Sequence, residues 1–216
     1  MMNTKILVTI ATAVAGLFIL KSSSKKLSRK TRRIVILGLK AAGKTTLWNS
    51  LRERLDVLPE STSLENVESF TVKNGDSSVD IAATKDIGGG DSFVPHYDEL
   101  IKDGTLIYFL VDLNTIAKYK DDISDRLYKV FDVIAGGNGG SKKNDCIVQI
   151  LATHKDTFLS NAVRHMPDSE IIEHVINKLD LTSEDGVPSD IGAYVKPINL
   201  LSSQNIQEIK NDIINC

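Results

Sequence analysis

The sequence predicts an α/β domain, a mostly parallel six-stranded sheet with helices on both faces. Three observations predict it. The β-branched run Ile34-Val35-Ile36-Leu37 leads straight into the glycine-rich turn Gly38–Thr46 (GLKAAGKTT) and then into helix formers, the strand–loop–helix order of a phosphate-binding loop. Two further apolar runs, Thr105–Val111 and Cys146–Ala152, read as buried strands. Helical patterns fall between and after them, around 123–134 and 169–179, and strands separated by helices form parallel sheets with ligands outside the carboxyl ends of the strands.

Taken in order, the chain opens with Ile6–Leu20, fifteen residues without a charge, followed by the basic stretch Lys21–Arg33. As a helix that run spans about 22 Å against a hydrocarbon core of about 30 Å. With Met1–Thr4 added and Lys5 snorkelling to the interface, it reaches about twenty residues, enough for one span. Residues 1–20 are therefore expected to form a transmembrane anchor. The rival readings are a cleaved signal peptide, with Lys5 as its charged start and Ser22–Ser24 as the cleavage site, and a plain core helix. The basic cluster marks the cytoplasmic side. Residues 21–33 then form a linker that favours anionic headgroups, and 34–216 the domain behind it.

Past the loop helix, which ends near Leu55, comes the polar stretch 56–65. Glu68–Lys73 and Val79–Thr84 flank Asn74-Gly75-Asp76, an Asn-Gly turn between β-rich runs, which predicts a hairpin. A loop over Asp86–Pro95 follows. The strand Thr105–Val111, the helix around 123–134, a glycine-rich loop and the strand Cys146–Ala152 come next. A helix over 169–179, a weaker strand near Val195–Leu200 and a helix over Gln207–Ile214 close the chain.

Composition bounds the function. The chain has 216 residues and 42% hydrophobic side chains, which suits one globular domain with a tail. Residues 1–33 hold eight Lys or Arg and no acid, leaving 18 basic against 28 acidic side chains in the other 183 residues, a net charge of −10. That excludes nucleic acid as the main partner of the globular part. The two cysteines, Cys146 and Cys216, form no metal spacing and no disulfide framework, which fits a reducing compartment.

The chemistry concentrates at the carboxyl ends of the strands. In the loop, glycines such as Gly38 and Gly43 let successive N–H groups, with those of Ala41, Ala42 and Thr46, converge on a polyphosphate at the positive end of a helix dipole. Lys44 would reach the β and γ phosphates, and the Thr45 hydroxyl would ligate Mg²⁺. In Asp86-Ile87-Gly88-Gly89 the carboxylate can hold Mg²⁺ through water, and the Gly89 N–H can bind the γ-phosphate. Thr62 could add a second hydroxyl to the metal. Asp156, after the strand 146–152, could accept from the N1–H and exocyclic amine of guanine.

These residues resemble the Arf branch of the Ras-like small GTPases. GLKAAGKTT differs from the usual loop of that family at Lys40, where the family carries Asp. The spacing from Gly38 to Thr62 matches the distance to the family's switch I threonine, Asn66-Val67-Glu68 repeats the Asn-Val-Glu that follows it, and KDIGGGD resembles the Trp-Asp-Val-Gly-Gly-Gln-Asp of switch II. The resemblance implies a small GTPase fold with GTP or GDP and Mg²⁺ as cofactors. It further implies a switch in membrane trafficking or protein targeting, with an effector contacting residues 60–100 and an exchange factor or activating protein as regulators. Phosphate contacts would fall on Gly38, Ala41, Ala42, Gly43, Lys44, Thr45, Thr46 and Gly89, and metal contacts on Thr45, Thr62 and Asp86.

The departures are specific. Gly90 stands where the family carries the glutamine that orients the attacking water, so no residue is assigned as catalytic, and hydrolysis is expected to be weak or partner-dependent. The guanine motif Asn-Lys-x-Asp reads Thr153-His154-Lys155-Asp156, and the last motif reads Leu200-Leu201-Ser202. Base contacts would fall on Thr153, His154, Asp156 and Ser202. Met2 replaces the glycine that N-myristoylation requires. The order of anchor, basic linker and GTPase domain is also similar to the beta subunits of signal recognition particle receptors. That likeness implies a single-pass protein of the endoplasmic reticulum, and as an alternative to the switch a non-hydrolysing, GTP-loaded scaffold subunit of a membrane receptor complex.

Overall fold

Ile34, Val35, Ile36 and Leu37 have no polar face, so the strand they form needs cover on both sides, and each is 1% exposed or less. In the computed structural model, which describes residues 31–54, 63–137, 139–162, 166–179, 187–188 and 190–216, that cover is complete. The elements in chain order are β1 (Arg33–Gly38), α1 (Lys44–Leu51), β2 (Leu64–Val67), β3 (Phe70–Asn74), β4 (Ser77–Ile81), β5 (Thr84–Ile87), α2 (Tyr97–Leu100), β6 (Thr105–Asp112), α3 (Lys120–Ala135), β7 (Ile147–Thr153), α4 (Lys155–Ala162), α5 (Asp168–Leu179), β8 (Val195–Pro197) and α6 (Ser203–Asn215). Turns of 3₁₀ helix run over Asp91–His96 and Ile191–Tyr194.

The central sheet has the order β1-β6-β7-β8, every pair parallel. Side chains alternate between its two faces. Val35, Leu37, Ile107, Phe109, Val148 and Ile150 pack with Ile123, Leu127 and Val130 of α3 and with Ile171 and Val175 of α5. Ile34, Ile36, Tyr108 and Leu110 pack on the other face with Leu47 and Trp48 of α1 and with Ile206, Ile209 and Ile213 of α6. Helices cover both faces, as the pattern predicts.

Among the described residues the sheet has four parallel strands, not the six expected. The hairpin around Gly75-Asp76 forms in two pieces of one register. β3 pairs β4 from Asn74↔Ser77 to Phe70↔Ile81, and β2 pairs β5 from Val67↔Thr84 to Leu64↔Ile87. Between the pieces, Glu68-Ser69 faces Ala82-Ala83 without a ladder. There the backbone turns to Arg32, whose N–H donates to Asp80 O (2.8 Å) and whose carbonyl accepts from the Ala82 N–H (2.8 Å). The parallel bridge Arg32↔Ile81 is, among the described residues, the hairpin's pairing to the sheet. Beyond it β1 and β5 part around a cleft of about 380 Å³ lined by Val35, Val67, Ala83 and Leu100 among others, so β5 does not extend the parallel ladder.

The short elements β2, β5, α2 and α4 have no counterpart in the expected pattern. Residues 84–87, read as the end of a strand and the start of a loop, form the short strand β5, and Asp86 lies within it. Residues 155–162, left without an element, form α4, so Asp156 sits in the first turn of a helix and not at a strand end. No helix among the described residues is long and apolar enough to cross a membrane. The predicted anchor 1–20, the linker through residue 30 and Thr62 lie outside the described residues.

Candidate functional site: the phosphate loop and the strand ends around it

β1 ends at Gly38, whose φ of +136° and whose closeness to β6 exclude a side chain: a Cβ there would lie 2.4 Å from the Leu110 carbonyl oxygen. The chain curls back through Ala41, itself at φ +63°, to Gly43 at φ +97°. α1 then starts with no side-chain cap and no acid in its first turn. A helix that begins on bare N–H groups favours an anion, since neither a hydroxyl nor a carboxylate of its own occupies them. Gly38, Ala41, Ala42, Gly43, Lys44, Thr45 and Thr46 thus lie together on one continuous turn over the start of α1.

Lys44 opens the helix and is 7% exposed. Its Nζ donates to the carbonyls of Gly38 (3.1 Å) and Leu39 (2.9 Å), holding the loop closed around the ammonium. Burial pulls its pKa down from 10.5 to about 8; the Asp86 carboxylate opposes that fall and the Arg126 charge adds to it.

The next residue meets the end of β5. Thr45 Oγ1 donates to Asp86 Oδ2 at 3.2 Å. Asp86 is 1% exposed, and its other oxygen, Oδ1, is buried without a hydrogen-bond partner among the described residues. Burial raises the carboxyl pKa, against the Thr45 hydrogen bond and the Lys44 charge. An ionised buried carboxylate with one oxygen unpartnered is costly alone and suited to a hard cation. Two of the three predicted metal ligands are therefore adjacent.

Gly88, Gly89 and Gly90 lead away from this corner, with the Gly88 N–H donating to Ser63 O (3.1 Å). Gly89 is pressed against the phosphate loop: a Cβ on it would lie 2.0 Å from Lys40 N and 2.3 Å from the Leu39 carbonyl carbon. Gly90 is open by contrast, with nothing nearer to a Cβ than Ser92 Oγ at 3.8 Å. Asp91 then accepts from Arg126 Nη2 (2.7 Å). Arg126 lies under the 3₁₀ turn, 4% exposed, and its charge opposes the rise that burial gives the Tyr97 pKa. Sequence reading missed Arg126, although its position three after Ile123 and four before Val130 puts it on the buried stripe of α3.

At the far end of the loop, Thr153 is fully buried and its hydroxyl donates to backbone, to Ala42 O (3.0 Å) and Val111 O (3.3 Å). It joins β7 to the phosphate loop. His154 follows at φ +59°, with Nδ1 at 3.3 Å from Asp112 Oδ1 and 3.1 Å from Thr153 Oγ1. Asp156 is exposed. The segment after β8 comes alongside: the Ile198 N–H donates to Ala152 O (2.8 Å) and the Lys155 N–H to Ile198 O (3.4 Å). Leu200 covers Gly43, Leu201 is 81% exposed, and Ser202 caps α6 by accepting from the Asn205 N–H (3.4 Å). The fold therefore brings the segments of Thr153, His154, Asp156 and Ser202 to one side of the phosphate loop.

A polyphosphate on the bare start of α1 would meet the Lys44 ammonium and bring its bound cation to the Thr45–Asp86 corner, which places the chain among the phosphate-loop nucleotide-binding α/β proteins. The model of the ADP-ribosylation factor (Arf) family matches residues 18–180. The chain belongs to that family of small GTPases, and binding of GTP and GDP comes with membership.

Proposed function

We propose that this protein is a membrane-anchored guanine-nucleotide switch of membrane trafficking or protein targeting, held through residues 1–20 with its GTPase domain on the cytoplasmic side and hydrolysing GTP weakly or only with a partner. The observation that carries it is the junction of loop and hairpin: Thr45 bonded to a buried, half-satisfied Asp86, with Gly89 in backbone contact with residues 39–40. A γ-phosphate between these parts would engage the Lys44 ammonium and the Gly89 N–H at once. Its loss would free the segment 88–97 and the β2–β5 hairpin leading into it, the part offered to an effector.

Thr45 Oγ1 and the Asp86 carboxylate would hold Mg²⁺, with Thr62 as a further ligand, and the ion would supply charge neutralisation for the β and γ phosphates. Asp156 would accept from guanine, and His154 and Ser202 would line the base. Gly90 offers no group to orient water, which is why hydrolysis is assigned to a partner's help. The apolar run 6–20 and its basic flank support the anchor.

The test is the nucleotide carried by the full chain after purification, followed by single-turnover hydrolysis with Mg²⁺, and alkaline extraction of membranes bearing the chain. Bound GDP with measurable turnover and resistance to extraction support the switch. Intact GTP without turnover replaces it by a permanently loaded subunit, and release by alkali overturns the anchor.

A further inference from the structure

We infer that Lys40 is a γ-phosphate contact, a cation supplied by the phosphate loop itself that makes this protein prefer nucleoside triphosphate over diphosphate. The inference rests on the nucleotide site proposed above and deepens it.

Lys40 is the third residue of the loop, and its side chain is exposed. Its backbone forms one side of the narrow seam with Gly89, where a Cβ would lie 2.0 Å from Lys40 N and 2.6 Å from Lys40 Cα. Gly89 comes from the opposite wall of the site, just past the end of β5, so Lys40 stands on the side of the loop that faces 88–90. Beyond the seam lies Gly90, around which the nearest atoms to a Cβ are Ser92 Oγ at 3.8 Å and Phe93 Cδ2 at 3.9 Å. With glycine at residue 90, no side chain from that position fills this space.

The charge is also unclaimed. Lys40 forms no ion pair or hydrogen bond among the described residues, while Asp91, two residues past Gly89, is held by Arg126 at 2.7 Å. An unpaired ammonium on a residue whose backbone abuts Gly89, whose own N–H would meet the terminal phosphate, adds attraction to the group that GTP has and GDP lacks. Lysine acts on phosphate as a point charge on a flexible stem, so no fixed geometry is needed. Because the site is exposed, the effect is modest and falls with salt.

The experiment is equilibrium titration of the full chain, in detergent with Mg²⁺, using a non-hydrolysable β,γ-imido GTP analogue and GDP. Lys40→Gln should weaken the analogue about fivefold and change GDP less than about twofold. Lys40→Arg should keep the preference, and raising the salt should erase the difference between the parent and Lys40→Gln. Unchanged GDP affinity shows that the variant is folded. Equal loss for both nucleotides, or no loss for either, overturns the role of Lys40 while leaving the site standing. A parent chain that binds neither nucleotide, or a Lys44→Ala variant that binds both as the parent does, overturns the site and this inference with it.

Discussion

Arg126 Nη2 donates to Asp91 Oδ1 at 2.7 Å, tying the buried face of α3 to the first residue of the turn that follows Gly90. The pair is uneven: Arg126 is 5% exposed in its side chain and Asp91 96%, and Arg126 Nη1 is buried without a hydrogen-bond partner among the described residues. Removing the acid would leave the guanidinium less satisfied, whereas replacing the base by an apolar residue removes the problem with it. Asp91→Ala should therefore lower the unfolding free energy by about 1–2 kcal/mol. Arg126→Leu should cost less, and adding Arg126→Leu to Asp91→Ala should recover part of the loss. Denaturant unfolding of the three variants decides it, and a double variant no better than Asp91→Ala alone would refute the pairing argument.

What could be read from the chain was what local chemistry dictates. The phosphate loop is legible because a strand, glycines at positive φ and a helix follow one another within a few residues, and the hairpin because Asn74-Gly75 favours its tight turn. The four-strand ladder was not legible. The hairpin joins the sheet where Arg32 meets Asp80 and Ala82 and β5 parts from β1 beyond that point, and no periodicity reports a pairing made across the fold. The helix α4 was missed because Asp156, Thr157, Ser160 and Asn161 are weak helix formers, and Arg126 because a charge on a helix reads as a solvated face until the stripe around it is counted.

Gly89 is pressed against the backbone of Leu39 and Lys40, so it admits no side chain. The methyl of Gly89→Ala would meet Lys40 N and Leu39 C, neither of which is the end of a flexible group. The loop or the 88–90 segment must move, at a cost of about 1–3 kcal/mol. Binding of a triphosphate analogue should fall more than binding of GDP, because the displaced N–H is the one that would face the terminal phosphate. Isothermal titration with both ligands checks this, and equal retention of both affinities would show that the seam is not part of the site.

The Lys44 ammonium gives a pH signature. Burial lowers its pKa in the folded chain from 10.5 to about 8, so above pH 8 the folded state gives up this proton while the unfolded state still holds it. The unfolded state then binds more protons, and stability rises with pH between about 8 and 10.5; below pH 8 both states are charged and the full desolvation penalty is present. The relief across the window is on the order of 3 kcal/mol. The parent should gain stability over that range relative to Lys44→Met, measured by urea unfolding without nucleotide. Saturation with a triphosphate should flatten the difference, because bound phosphate restores the charge. A parent and variant that run parallel from pH 8 to 10.5 would mean that the lysine is not buried as described.

Gly90 offers the sharpest test of the missing catalytic group. Its backbone sits at φ −86° and ψ 164°, extended values that any residue adopts, and a Cβ would meet nothing nearer than 3.8 Å. Gly90→Gln should therefore fold as the parent does, with thermal midpoints within a few degrees. Its amide would project from the residue after the Gly89 seam, where it could hold water against a terminal phosphate. If a missing water-orienting group is what limits turnover, single-turnover GTP hydrolysis should rise by at least about tenfold with GDP affinity unchanged. If Gly90→Gln folds, binds GTP and hydrolyses no faster, the limit lies elsewhere in the site, and the unpartnered oxygen of Asp86 and the position of Thr62 become the next residues to vary.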